Sequence, residues 1–194
     1  MELDSLLVSV KRLFELLRTR QINYLLVGGV ALLSYVEGRN TEDLDLIMVS
    51  STLKKLPEIH LTSQEQYFAR GDFEGLKIDI LLTRNPLFAH VLRRHTTTRS
   101  FLDGEILTAT VEGLLLLKLN ALPSLHRQGD FTRVSLYEND IAMLMYQYQP
   151  DPAPLLKDLS KYLTGGDLEE IEHILVEIQR RIDNFRNQSS LKKE

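Results

Sequence analysis

Apolar residues at the start of the chain recur every three to four positions: Leu3, Leu6, Leu7, Val10, Leu13, Phe14 and Leu17 share one face, with Lys11, Arg12 and Glu15 outward. That spacing predicts an amphipathic helix. Tyr24-Leu25-Leu26-Val27 is a short apolar run that stops at Gly28-Gly29, as a buried strand entering a tight turn does. Val30 to Val36 restarts a helix. The polar connector Glu37-Gly38-Arg39-Asn40-Thr41 leads into Asp43 to Val49, which alternates and then turns apolar; it predicts a second strand. Gln66 to Arg70 and Leu76 to Leu82 flank a glycine-bearing loop and suggest a hairpin. Thr97 to Phe101 and Glu105 to Thr108 flank Asp103-Gly104, a stronger signal of the same kind.

Beyond these strands the pattern becomes helical. Val111 to Leu122 is leucine-rich. Ser135, with Glu138 three residues on, has the arrangement of a capping box, and Ile141, Leu144, Met145 and Tyr148 form the apolar face of the helix expected there. Pro150, Pro152 and Pro154 suggest a short stiff linker. Two more helices are expected near Leu155 to Leu163 and Leu168 to Phe185, the second carrying Leu168, Ile171, Ile174, Leu175, Ile178 and Ile182 on one stripe. The tail from Asn187 is polar and expected to fray. The organisation is α+β: an α/β core over residues 1–110 and a helical C-terminal region over 111–194.

Composition narrows the function classes. With 194 residues, 43% hydrophobic and 26% charged, the chain can bury a core and is ordinary for a globular protein. A formal net charge of −4 argues against strong non-specific binding to nucleic-acid phosphates, which usually asks for a basic surplus. The absence of cysteine removes disulfides, zinc thiolates and thiol catalysis. The opening MELDSLLVSVKRLF is acidic and lacks the apolar core of a signal peptide. No apolar stretch approaches the roughly 20 residues of a membrane span. A reducing cytoplasm is the expected setting.

The chemistry concentrates between Val27 and Met48. On a strand, alternate side chains share a face, so Asp43 and Asp45 project together with Cα atoms about 6.6 Å apart, while Leu44, Leu46 and Met48 point into a core. Two such carboxylates repel, and a cation relieves the repulsion. Mg²⁺, which takes one or two carboxylates together with phosphate oxygens and waters, suits the pair. The bland alternative is the solvent face of an edge strand. Gly28-Gly29, at the junction of strand and helix, would let backbone N–H groups approach a phosphate. Asp79 is an isolated acid in the apolar strand Ile78 to Leu82. It either pairs with Lys77 or an arginine, or serves as a third metal ligand that accepts the proton of an attacking hydroxyl.

Gly28-Gly29, thirteen further residues, Asp43-Leu44-Asp45-Leu46 and the later apolar-Asp-apolar strand at Asp79 together resemble the polymerase-β-type nucleotidyltransferase superfamily. The form Gly-Gly-x-Ala with Arg39-x-Thr41-x-Asp43-x-Asp45 is most similar to its small prokaryotic members of the AbiEii-like toxin type, which are toxin halves of toxin–antitoxin pairs. The resemblance covers roughly residues 20 to 125. It implies a mixed β-sheet flanked by helices, with Asp43 and Asp45 on two Mg²⁺ ions and Asp79 on the nucleophile side. Gly28 and Gly29 would cradle the triphosphate. Arg39 and Thr41 would reach phosphate or sugar, unless Arg39 pairs with Glu37 or Glu42 in a solvated loop. Lys118 would point to the nucleotide phosphates, or else only snorkel from its apolar helix.

The implied reaction moves a nucleoside monophosphate from a nucleoside triphosphate to an acceptor hydroxyl, with pyrophosphate leaving in line. The acceptor stays open among tRNA or another RNA end, a protein and a small molecule. Arg84, His90, Arg93, Arg94, His95 and Arg99 form the concentrated basic stretch that could meet a polynucleotide, or a solvated face. The histidines show no metal-binding spacing. An antitoxin partner would accompany a toxin role. The alternative class is a nucleotidyltransferase-fold protein without turnover that binds nucleotide or a partner.

Overall fold

The computed structural model describes residues 3–37, 41, 43–101 and 104–191. The chain divides into two compact units, Met1–Leu114 and Leu115–Glu194. In the first, α1 (Leu3–Thr19) leads through Gln21, which takes a left-handed φ of 51°, into β1 (Tyr24–Val27). Then follow α2 (Gly28–Leu32), β2 (Asp43–Met48), a 3-10 helix (Ser50–Lys55), β3 (His60–Gln64), β4 (Phe68–Phe73), β5 (Leu76–Leu82), α3 (Pro86–Arg94), β6 (Thr96–Phe101) and β7 (Gly104–Ala109).

The seven strands form one mixed sheet in the order β3-β4-β5-β2-β1-β7-β6. β2 pairs with β5 in parallel and β1 with β7 in parallel, whereas β1–β2, β3–β4, β4–β5 and β6–β7 are antiparallel. β2 is therefore the middle strand, not an edge. Its Leu44, Leu46 and Met48, with Ile78, Ile80 and Leu82 of β5, are buried as the alternation requires. Over this side lies α1, whose Phe14 ring stands 5.6 Å from that of Tyr24, the strand partner of Met48. The β4–β5 hairpin turns on two residues with positive φ, Glu74 (53°) and Gly75 (82°), the geometry that matches strand twist in a two-residue loop. Asp72 Oδ1 accepts the Gly75 N–H at 2.9 Å and fixes the turn.

Two elements lie outside the segments that the sequence pattern predicts. β3 is an edge strand exposed at every residue, so no buried face marks it, and it is held by backbone pairing to β4. α3 hides in the basic stretch. Pro86 occupies its first turn and Asn85 Oδ1 accepts the Leu87 N–H at 2.9 Å, which satisfies an orphan donor of the helix end.

The second unit holds most of α4 (Val111–Gln128), then α5 (Phe131–Tyr148), α6 (Pro152–Leu159) and α7 (Gly165–Leu191). The capping box expected at Ser135 does not form. α5 begins at Phe131, and Asp130 caps it by accepting the Arg133 N–H at 3.1 Å. Asp130 offers a carboxylate five residues earlier, so Ser135 falls inside the helix. The proline linker is likewise shorter than its composition suggests. Pro152 opens α6, where a missing N–H costs nothing, and Asp151 Oδ1 caps it through the Ala153 N–H at 2.9 Å. α7 continues past Asn187 to Leu191. Ile141, Leu144, Leu159, Ile171 and Ile178 are fully buried, but Tyr148 is 41% exposed and leaves the predicted apolar face, since α5 ends at Gln149 in a left-handed cap.

Candidate active site

Strand register decides whether acids distant in sequence can act together. In the parallel β2–β5 pair, Asp43 lies opposite Lys77 and Asp45 directly opposite Asp79. Parallel neighbours project to the same face, so Asp43, Asp45 and Asp79 stand on one side of the sheet, with Asp45 and Asp79 on adjacent strands about 4.8 Å apart. That side is half-buried at all three acids. Asp43 Oδ1 is buried and has no hydrogen-bond partner among the described residues. A buried carboxylate oxygen left without a donor is costly unless a cation or ligand satisfies it.

Glycine is required where β1 ends. Val27 lies opposite Asp45, which brings Gly28 against that carboxylate: a Cβ at Gly28 would collide with Asp45 Oδ2, and its φ of +67° is one L side chains rarely adopt. At Gly29 a Cβ would sit 2.6 Å from Thr41 Oγ1. Thr41 in turn donates to the Asp43 carbonyl at 3.4 Å. Gly28, Gly29, Thr41, Asp43, Asp45 and Asp79 are thus brought together. The donor set is all oxygen and includes an unsatisfied buried one, which fits a hard divalent cation.

Arg39 lies outside the described residues. Lys118 is in the second unit, where its Nζ is 2.7 Å from Asp140 Oδ2 and 4.4 Å from the centroid of the Tyr137 ring. Arg93 and Arg94 are exposed at the end of α3, and the Arg99 guanidinium lies 4.8 Å above the Tyr35 ring. His90 and His95 do meet, with ring centroids 5.4 Å apart, because the chain leaves α3 between them and the helical spacing rule no longer applies.

Sequence reasoning missed Arg70. On β4 it lies opposite Asp79, and its Nε is 3.5 Å from Asp79 Oδ1. Asp79 is therefore both on the acid face and ion-paired. The hairpin was the available signal, but a loop read as Gly71 to Gly75 hides the contact: β4 runs on to Phe73, the turn takes only Glu74 and Gly75, and that register sets Arg70 across from Asp79. One oxygen from each of the three acids cannot be found within 4.8 Å of the other two, so the carboxylates share a face without converging on one point.

Solved structures share this architecture. The chain is similar to an antigenic nucleotidyltransferase-like protein from Paracoccidioides brasiliensis, 19% identical over 95% of this chain and 93% of that one, with a TM-score of 0.64. It is also similar to the antibiotic-resistance factor ANT(2'')-Ia, whose solution structure is 10% identical over 93% of this chain and 96% of that one, at a TM-score of 0.54. The crystal structure of ANT(2'')-Ia with adenylyl-2''-tobramycin is 9% identical, covers 89% and 95%, and gives 0.55. No protein-family model matches the chain, and no curated protein does. The fold is the α+β nucleotidyltransferase fold of the polymerase-β type: a mixed sheet flanked by helices, followed by a helical C-terminal region.

Proposed function

We propose that the chain is an Mg²⁺-dependent nucleotidyltransferase. What carries this reading is the register that sets Asp45 beside Asp79 on the face where Gly28 leaves no room for a side chain and Asp43 Oδ1 is buried without a partner. Asp43, Asp45 and Asp79 would hold Mg²⁺, which supplies neutralisation of the phosphate charge. Gly28 and Gly29 keep the backbone open to the triphosphate, with Thr41 beside it, and by the motif resemblance Arg39 would reach phosphate or sugar. Asp79 accepts the proton of the acceptor hydroxyl. The acceptor oxygen bonds to the α-phosphorus, the bond from that phosphorus to the bridging oxygen breaks, and pyrophosphate leaves. Lys118, whose amine pairs with Asp140, is the further candidate for a phosphate contact.

The acceptor distinguishes three uses of this chemistry. A small-molecule hydroxyl corresponds to the neighbour bound to adenylyl-2''-tobramycin. An RNA end such as tRNA, or a protein, corresponds to a toxin role with an antitoxin partner, as the motif resemblance implies. No helix among the described residues is long and apolar enough to cross a membrane, in keeping with action in the cytoplasm. The test is to incubate the protein with each of four α-labelled nucleoside triphosphates, Mg²⁺ and, separately, total tRNA, protein extract and aminoglycosides. Transfer of label that stops in Asp79→Asn supports the enzyme. Nucleotide binding without transfer to any acceptor instead favours a nucleotide-binding protein without turnover. Metal-independent behaviour throughout removes both readings.

A further inference from the structure

The pair between Arg70 and Asp79 is too open to be a fold-holding contact. The Arg70 side chain is 60% exposed and that of Asp79 39%, and pairs this wet contribute little to folding. Its position is more informative than its strength. Along one row of the sheet, Asp45 on β2, Asp79 on β5 and Arg70 on β4 are successive cross-strand neighbours. Asp79 stands between a like charge and an opposite one. The guanidinium takes Oδ1 from the side away from Asp45, and Asp79 makes no other hydrogen bond or ion pair among the described residues. The three carboxylates share a face but do not converge within 4.8 Å of one another, and the Arg70 contact lies on the opposite side of Asp79 from Asp45.

We infer that Arg70 is a positioning residue that holds Asp79 withdrawn from Asp43 and Asp45 and competes with the cation for it. The inference rests on the proposed metal-binding reading of the acid face. Loading the site then requires Asp79 to give up its guanidinium partner. A cation bound without nucleotide meets that competition in full, whereas a nucleotide brings phosphate oxygens that can take Arg70 in exchange. The neighbouring row carries Asp43, Lys77 and Asp72, with Asp72 already engaged at the Gly75 turn, and opposite Arg70 on β3 stands the neutral Ser63. None of them replaces Arg70 at Asp79.

The experiment titrates the intact protein with Mn²⁺ alone, following binding by calorimetry and by the loss of the free-ion electron resonance signal. Arg70→Gln is expected to bind Mn²⁺ roughly two- to fivefold more tightly than the natural protein, the scale of an exposed ion pair. Arg70→Lys, which keeps a charge but loses the fork, should lie between them. In an Asp79→Asn background the Arg70→Gln effect should vanish. Circular dichroism confirms that each variant is folded, and Arg70→Lys stands in if Arg70→Gln is not. Unchanged or weaker Mn²⁺ binding in the Arg70 variants, with binding in the natural protein, overturns the inference while leaving the metal site. Absence of Mn²⁺ binding at millimolar concentration in the natural protein overturns the metal site itself, and the role of Arg70 with it.

Discussion

Each unit contains an aspartate beside a cation, and the two pairs are opposites. Arg70–Asp79 sits on an open sheet face, 60% and 39% exposed, at a separation of 3.5 Å. Lys118–Asp140 is sealed among helices, 6% and 0% exposed, at 2.7 Å, with Tyr137 against the amine. Water screens the first and leaves both partners free to exchange for a ligand. It is excluded from the second, so neither charge can be left alone. An acid that must take and release a cation needs the first environment. The second fits a fixed internal strut, in keeping with the site proposed in the sheet.

The most severe break of this contrast is at the acids. Asp79→Asn keeps the shape and removes the proposed proton acceptor and cation ligand; turnover should fall by about 10²–10⁴-fold with the thermal midpoint little changed. Asp43→Ala should do the same while relieving a buried oxygen that lacks a partner, and an initial-rate assay with a melting curve separates the two effects. Full activity in either variant removes the assignment.

The buried pair should behave in reverse. Lys118→Met strands a buried carboxylate and should cost about 3–5 kcal/mol of stability, while the double change Lys118→Met with Asp140→Leu should recover most of it. Urea unfolding measures both. If the double variant is as stable as the natural protein yet its KM for nucleotide rises, Lys118 reaches the phosphates after all. An unchanged KM confines it to the strut.

Glycine substitutions should be milder and unequal. Gly28→Ala forces a left-handed residue, about 1–2 kcal/mol, and drives its Cβ into Asp45. Gly29→Ala needs no left-handed residue, but its Cβ would stand 2.8 Å from Thr41 Cβ, which side-chain rotation cannot move, so Thr41 must shift; without the backbone strain it should lose less stability than Gly28→Ala in the same assays. The smallest effect concerns Asp167, whose carboxyl is held below its usual range chiefly by the Arg127 guanidinium and further by Thr164. A depressed folded value stabilises above the unfolded pKa, and the benefit disappears as pH falls through the folded one. The difference in melting temperature between the natural protein and Asp167→Asn should therefore be present at neutral pH and close in acid.

Much was legible before any coordinates. Alternation placed Asp43 and Asp45 on one face and Leu44, Leu46 and Met48 on the other, since a strand's period of two leaves no alternative. Long apolar stripes marked the helices. Two elements escaped for different reasons: β3 is exposed throughout and has no face to bury, whereas α3 does bury Leu87, Phe88 and Val91, but that short apolar face lies within a basic run. Helix starts were misplaced where a carboxylate a few residues upstream capped first, as Asp130 did ahead of Ser135. The His90–His95 approach was hidden because a helical spacing rule fails where the helix ends between them.

By itself, the sequence determined which residues are acids in apolar strands, where glycine interrupts them, and which segments have a face to bury. These are local consequences of backbone period and side-chain chemistry. Tertiary structure alone decided that β2 lies at the centre of the sheet, that Asp45 and Asp79 are neighbours, that Gly28 abuts a carboxylate, and that Arg70 stands across from Asp79. Those depend on strand order and register, which are fixed by pairing between segments far apart in the chain and leave no trace in local spacing.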